Sequence, residues 1–447
     1  MAVNTQTKKK QIVILGGSYS GLSTAHYLLK HALPFLADPY SFELVLVSTS
    51  SQAMCRPACP RAMISDDFFN QEKLFVDIPT QFNQYPSTTK FRFIHGHATA
   101  LDHVARTVSV SLISPKTPET VNLVFHALII ATGASTPSPL LGLNTGDASL
   151  LRASWATFRT SLSSTTTKNI VIAGGGPTGV EVAGELGQHL NGRAPFYQSS
   201  FPNPKVNITL VTASSRILPR LREALSQQAE AYLAKVGVRI ITDTRVVDAT
   251  PPSNSSATNK DVLLIQGGET SSVTLLSKHK ETQQLRADIY IPCVGTTPNT
   301  DFISSSSGLL STSPESTGRV LTNPSTLRVD AAGPGAQIYA IGDVSNYAAS
   351  PAIHNVLAAV PILCTNIKTD LLLSEAGTTQ KEVGVKDRLF KEDVRETQLV
   401  PIGTSKGVGA MMGYRLPSFM VWLFKGRDYW LWTTGRLWSG KQWAKES

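Results

Sequence analysis

The chain is short of cysteine, of acidic residues and of long apolar runs. Each shortage removes a class of answer. Four cysteines in 447 residues are too few for a disulfide framework, although Cys55 and Cys59 lie close enough to need separate treatment. No uninterrupted apolar run reaches about 18 residues, so no membrane-spanning helix is expected. Acids number 32 against 41 Lys and Arg, and the resulting charge of +9 admits anionic partners such as NADPH, nucleic acid or lipid headgroups without selecting among them. Residues 1–10 are polar and basic and pass straight into an apolar segment, which leaves no room for a secretory leader. Ala2 stands where N-myristoylation would need glycine, and no mitochondrial presequence is evident. An intracellular address is expected, either cytoplasmic or peripheral on an intracellular membrane such as the mitochondrial outer surface.

What the chain does have is one pattern twice. Residues 11–29, QIVILGGSYSGLSTAHYLL, read as a short buried strand, a glycine turn and a helix. Such a unit lays a pyrophosphate on the unpaired N–H groups of a helix N-terminus. Gly16, Gly17, Ser18 and Gly21 occupy the GxGxxG frame, with serine in the middle glycine position. The next strand, 43–47, ends in Ser48, Thr49 and Ser50 instead of the acid that usually holds an adenosine ribose. The second copy, 169–186, has all three glycines, Gly174, Gly176 and Gly179, with Thr178 before the last. Its helix carries Glu181 and Glu185 four residues apart, on one face. Residues 191–205 delay the following strand, 206–211, after which come Thr212, Ser214, Ser215 and Arg216. Hydroxyls and a guanidinium suit a 2′-phosphate where a carboxylate would repel it, so NADPH is favoured over NADH.

The remaining segments fit around these two units. Residues 51–65, SQAMCRPACPRAMIS, form a proline-punctuated loop, and 91–113 and 121–131 alternate as antiparallel strands would. Residues 126–135 read as a buried strand ending in the turn Ala131-Thr132-Gly133. Residues 251–260 and 266–284 read as surface loops. Strands over 287–294 and 337–341 lead to Gly295 and to Gly342-Asp343. An acid just after a buried strand and a glycine falls at the carboxyl edge of a parallel sheet, where such folds bind ligands, and Asp343 is placed to accept hydrogen bonds from a polyol. A helix over about 354–373 would aim its N-terminus at the same place. Five of the six tryptophans fall between Trp422 and Trp443 among Lys and Arg, a mixture that suits a membrane interface and equally a tail packed on the core or on a partner subunit.

The resulting fold class is α/β. Two Rossmann-like dinucleotide-binding domains are expected, the first (1–140 and 287–373, for FAD) interrupted by the second (141–286, for NAD(P)), followed by a small α+β segment at 374–447.

The order GGSYSG, ATG, GGGPTG, VGTTPN, AIGD resembles that of two-dinucleotide-binding flavoproteins. Over nearly the whole chain it resembles the apoptosis-inducing-factor-like mitochondrion-associated family, which includes the ferroptosis suppressor quinone reductase. The loop ending Ala58-Cys59-Pro60-Arg61-Ala62, the helix GGGPTGVEVAGEL, and Val400-Pro401-Ile402-Gly403 followed by Lys425-Gly426-Arg427-Asp428 carry that likeness. The resemblance implies an FAD-dependent NAD(P)H oxidoreductase. FAD would contact Gly16, Ser18, Gly21, Arg61, Thr132, Gly133 and Asp343, and NAD(P)H would contact Gly174, Gly176, Thr178, Gly179 and Glu181. It also places Lys425 near the flavin edge. Glu181 and Lys425 are the candidate catalytic residues, and no metal site is expected. The acceptor would be a small molecule, with an apolar quinone the best fit to an aromatic, cationic tail, and the sequence leaves a homodimer open. Two other readings stand beside it. One is a disulfide or persulfide reductase using Cys55 and Cys59, with Arg56 lowering a thiol pKa. The other is a flavin-containing protein whose basic surface binds DNA or another polyanion, which the lack of any nucleic-acid motif disfavours.

Overall fold

The computed structural model describes residues 9–36, 38, 41–86, 91–113, 119–144, 146–250, 271–349 and 352–446. Its centre is the strand Lys10–Leu15, in which Ile12, Val13, Ile14 and Leu15 are all buried. Four consecutive buried aliphatics mark a strand covered on both faces. It pairs in parallel with Phe42–Ser48 on one side and Ala127–Ile130 on the other. Ile338–Ala340 adds in parallel beyond Ala127–Ile130. Phe91–Asp102 continues the other side of the sheet, then turns antiparallel through Thr107–Leu112 and Thr120–Val124.

The strand Asn169–Ala173 repeats this arrangement between Asn207–Val211 and Ile289–Pro292, all parallel, with Val238–Ile241 outermost. Both glycine turns obey the same steric constraint. Gly16 (φ +116°) and Gly174 (φ +115°) take a backbone conformation that side chains rarely adopt. A Cβ on either would overlap a carbonyl of the neighbouring strand's exit, Ala131 O or Cys293 O. The helices that follow, Tyr19–His31 and Pro177–Leu190, lie so close on their turns that a Cβ at Gly21 or Gly179 would strike the carbonyl of Gly16 or Gly174.

Three boundaries differ from the sequence reading. Ile289–Pro292 belongs to the second sheet, so the chain returns to the first domain after residue 292 and not at 287. Within 266–284, read as loop, Ser271–Ser277 and Thr282–Ala287 are strands that form an antiparallel sheet with Thr244–Thr250. Their alternation is hard to see because the strand Thr282–Ala287 carries polar residues at most positions. Residues 251–260 and 1–8 lie outside the described residues. Finally, Ile353–Ala376 is long and apolar enough to cross a membrane by length and composition, unlike anything expected from apolar runs alone. Here it packs along Tyr19–His31 and buries Val356, Val360, Leu363, Ile367 and Leu371 in the core.

The two linkers between the domains run side by side. Ala134–Ser135 pairs antiparallel with Thr297–Pro298. The Asn299 side chain fastens this ribbon, its Nδ2 donating to Thr132 O at 2.9 Å and its Oδ1 accepting from Ser135 Oγ at 2.7 Å.

The C-terminal segment straddles both glycine-turn helices. Its sheet, Gln398–Ile402, Lys406–Met411 and Tyr414–Arg415, lies on the second helix, where a Cβ at Gly184 would come within 2.9 Å of Ile402 Cα. Its last turns lie on the first helix: His26 Nε2 meets Trp438 O at 2.8 Å, Lys30 Nζ donates to Gly440 O at 2.6 Å, and Tyr27 packs edge-on against Trp443. The tryptophans therefore divide. Trp438 and Trp443 are core residues, whereas Trp422 and Trp432 are exposed.

His26 is buried between Phe82, on which it stacks, Tyr85 and Trp438, and burial pushes its pKa down to about 4. Folded His26 therefore stays neutral where the unfolded residue, near 6.5, takes up a proton, and its contribution is complete above pH 6.5 and is lost as pH falls towards 4. By pH 5 the loss should reach about 2 kcal/mol. Denaturant unfolding at pH 7 and pH 5 checks this: His26→Gln should lose less stability over the interval than the parent, and equal losses would assign the pH dependence to another group.

Candidate functional site

A cavity of about 610 Å³ opens where the two domains and the C-terminal segment meet. Gly16, Gly17, Ser18 and Tyr19 of the first turn line it, with Ser48 at the end of the neighbouring strand and Thr132 and Gly133 at the next. Asp343 enters beside the N-terminal residues Ile353 and Val356 of the long helix. From the second domain come Pro177, Thr178 and Glu181, and from the C-terminal segment Lys425.

The first half of this cavity suits a dinucleotide. Ser18 is the N-cap of the first helix in an extended conformation and makes no side-chain cap, so the helix's N–H groups stay available to a phosphate. Gly17 leaves room that a Cβ would take up against Ser48. Thr132 Oγ1 is already committed to Asn299 O at 2.7 Å, so this residue offers its backbone. The Asp343 carboxylate has no hydrogen-bond or ion-pair partner among the described residues, while Arg319 is bonded to its backbone carbonyl. Burial raises its pKa against the opposing fields of Arg56 and Arg319. A half-buried, unpartnered carboxylate facing a cavity asks for hydroxyl donors, as a ribityl chain supplies. The residues present therefore fit FAD.

An acid does reach the segment after Ser48, but from far along the chain. Asp147 caps the helix Ala148–Ser163 and accepts from Ser50 Oγ at 3.0 Å and Ser51 Oγ at 3.3 Å. Burial would raise its pKa, yet the Ala148 N–H and the serine hydroxyls hold it below the usual carboxylate range. Motif spacing gave no sign of it; an Asp before a helical run was the only signal.

Six residues expected in the site stand apart from the cavity. Gly21 and Gly179 serve the packing of helix on turn. Gly174 and Gly176 lie in the second turn, and around the Gly176 Cα the space is open, as close approach of a second dinucleotide requires. Arg216 donates to Leu221 O at 2.7 Å and Pro219 O at 2.9 Å, so part of its guanidinium is bound to its own loop. Arg61 is engaged elsewhere. It is buried and forms a two-pronged ion pair with Glu185, Nη2 to Oε1 at 2.8 Å and Nε to Oε2 at 3.0 Å. The arginine lining the cavity is Arg56, held by Ala134 O and Leu141 O.

Glu181 and Glu185 face the same way from the second helix, and each finds a cation. Lys425 Nζ lies 2.5 Å from Glu181 Oε1 and 3.1 Å from Leu399 O, with both side chains buried. Burial pushes Glu181 up to about 6 against the attraction of Lys425 and Arg61. With its pKa raised by burial at the wall shared by both halves, Glu181 can hold or release a proton there.

The cysteine expectation fares otherwise. Cys55 and Cys59 are both free and buried, with Cys59 at the cavity wall. Burial pushes the Cys55 thiol up to about 11 and Cys59 higher, and Arg56 lowers the latter only in part. Burial thus favours the thiol form of both, whereas a nucleophilic cysteine works as the thiolate.

Residues 10–361 match the family model for pyridine nucleotide-disulphide oxidoreductases. The chain is 56% identical over 448 residues to oxidoreductase phnG of Penicillium herquei, covering 100% of both. It is 24% identical over 421 residues to ferroptosis suppressor protein 1 of Xenopus tropicalis, covering 94% of this chain and 93% of that one. The solved sulfide:quinone oxidoreductase of Aquifex aeolicus shares the fold, with a TM-score of 0.64 at 14% identity over 96% of this chain and 92% of its own.

Replacing Lys425 by Met should leave Glu181 a buried carboxylate without its cation and cost roughly 3 kcal/mol. Adding Glu181→Gln should recover most of that loss. Denaturant unfolding of the two variants checks it, and a Lys425→Met protein as stable as the parent would show that water already screens the pair.

Proposed function

Because this chain belongs to the pyridine nucleotide-disulphide oxidoreductase family, we propose that it binds FAD at the first glycine turn and NAD(P)H at the second, and moves two electrons from the nucleotide to a small organic acceptor. The observation that carries this reading is the shared cavity: the first turn and Asp343 line it together with Thr178 and Glu181 of the second. Bound flavin supplies the chemistry, taking hydride from the nicotinamide and passing the electrons on.

The chain's own residues bind and orient. Asp343 accepts from the polyol, and the helix starting at Ile353 turns its positive end towards the same cavity. Glu181 orients the nicotinamide's amide, and Lys425 stabilises negative charge at the ring edge. The acceptor class we favour is a quinone, for which the net reaction is NAD(P)H + H⁺ + quinone → NAD(P)⁺ + quinol. The likeness to ferroptosis suppressor protein 1 and the quinone reduction named for the Aquifex neighbour support that choice. NADPH is preferred because Thr212 to Arg216 place no carboxylate at the end of the second sheet's strand. Peripheral contact with an intracellular membrane is supported by exposed Phe419, Trp422 and Leu423 beside Arg415 and Arg427.

An anaerobic absorption titration of the purified protein, with NADPH and NADH added separately, tests the proposal. Flavin bands should appear and bleach with NADPH; a protein that neither carries nor takes up FAD ends the reading, and bleaching by NADH alone ends the preference for the 2′-phosphate. Glu181→Ala should slow bleaching roughly 10- to 100-fold. Cys59→Ser should change quinone reduction by at most about twofold. A dead Cys59→Ser protein that still bleaches would restore the thiol mechanism.

A further inference from the structure

Arg61 touches nothing in the cavity, yet it holds the part of the chain that carries Lys425. Residues Trp422–Gly426 form one wide helical turn, with Arg427 N–H bonded back to Trp422 O at 2.7 Å. The carbonyls at the end of that turn need donors from outside it. Arg61 Nη1 donates to Gly426 O at 2.8 Å and to Arg427 O at 3.2 Å, and Nη2 reaches Gly403 O at 3.3 Å. Glu185 neutralises the guanidinium and also accepts from Tyr429 Oη at 2.9 Å, while the Arg61 guanidinium sits 4.9 Å from the Tyr429 ring centre. The backbone on the C-terminal side of Lys425 is thus clasped through two carbonyls and one side chain, all referred to Glu185. One helical turn earlier on the same helix, Glu181 receives the Lys425 ammonium.

We propose that Arg61 is a positioning residue: with Glu185 it fixes the backbone from which Lys425 reaches Glu181 at the cavity wall. The proposal rests on the functional reading above only where it speaks of turnover. Its structural content stands on the chain's own contacts. Lysine at position 61 would keep the charge but lacks the fork needed to serve a carboxylate and three carbonyls at once.

The test measures the reactivity of the Lys425 amine directly. The purified full-length chain is treated with a small amine-acylating reagent, and the modification at Lys425 is followed by peptide mass spectrometry, with exposed Lys441 as internal reference. In the parent Lys425 should react far more slowly than Lys441. Arg61→Lys should raise the Lys425 rate roughly tenfold, the effect of losing about one fixed hydrogen bond, and leave Lys441 unchanged. A lower melting temperature with unaltered Lys425 reactivity would make Arg61 a staple only and overturn the proposal. If Arg61→Lys fails to fold, Tyr429→Phe removes one donor to Glu185 and should raise Lys425 reactivity roughly threefold; an unchanged rate again overturns it.

In the flavin-loaded protein, Arg61→Lys should slow nucleotide-driven bleaching roughly tenfold, but add no loss in a Lys425→Met background. An added loss there would mean that Arg61 acts independently of Lys425, against the proposal. A parent protein that never bleaches with either nucleotide defeats the functional reading instead, and the labelling arm still decides on Arg61.

Discussion

Two carboxylates one turn apart on a buried helix face would be untenable alone, since each removed from water costs several kcal/mol and they repel each other. Glu181 and Glu185 persist because Lys425 and Arg61 arrive to meet them, one from the end of the chain and one from the loop after the first domain's second strand. That requirement fixes where three distant segments must lie. The C-terminal sheet has to rest on the second helix, and the loop carrying Cys55, Cys59 and Arg61 has to tuck under it. The cavity opens beside these pieces, and one of the two ion pairs, Glu181 with Lys425, forms part of its wall.

The functional consequence is a division of labour along one helix. Its first turn follows the second glycine motif, Glu181 supplies the carboxylate that lines the cavity, and Glu185 one turn on anchors the framework. Burial keeps Glu181 close to neutrality while its neighbour one turn on is committed to a guanidinium. Two acids of the same type thereby acquire different chemistry from their surroundings alone.

The parts of the fold that depend on local rules were legible in the sequence. Both glycine turns, the Asp343 position and the long helix after it follow from spacing, because their geometry is enforced within a few residues. What depended on distant partners was not. Nothing near Arg61 in the chain shows that Glu185 will claim it. Asp147 was invisible as the acid beside Ser50 for the same reason. The strand Ile289–Pro292 was assigned to the wrong sheet because a buried apolar run carries no label of its partner, and the polar strand Thr282–Ala287 was missed because one side of its sheet faces water.

The paired linkers have a consequence for assembly. Ala134–Ser135 and Thr297–Pro298 hold the entry and exit of the inserted domain side by side, so that domain is a closed loop in the outer one. Closing a loop of that length costs chain entropy that a two-residue ribbon cannot offset. The insert's own packing has to help hold its ends together. Ile338–Ala340, which lies beyond the insert in sequence, completes the sheet begun by Lys10–Leu15. During synthesis the N-terminal strands of that sheet are therefore made with one edge open, some two hundred residues before the strand that covers it.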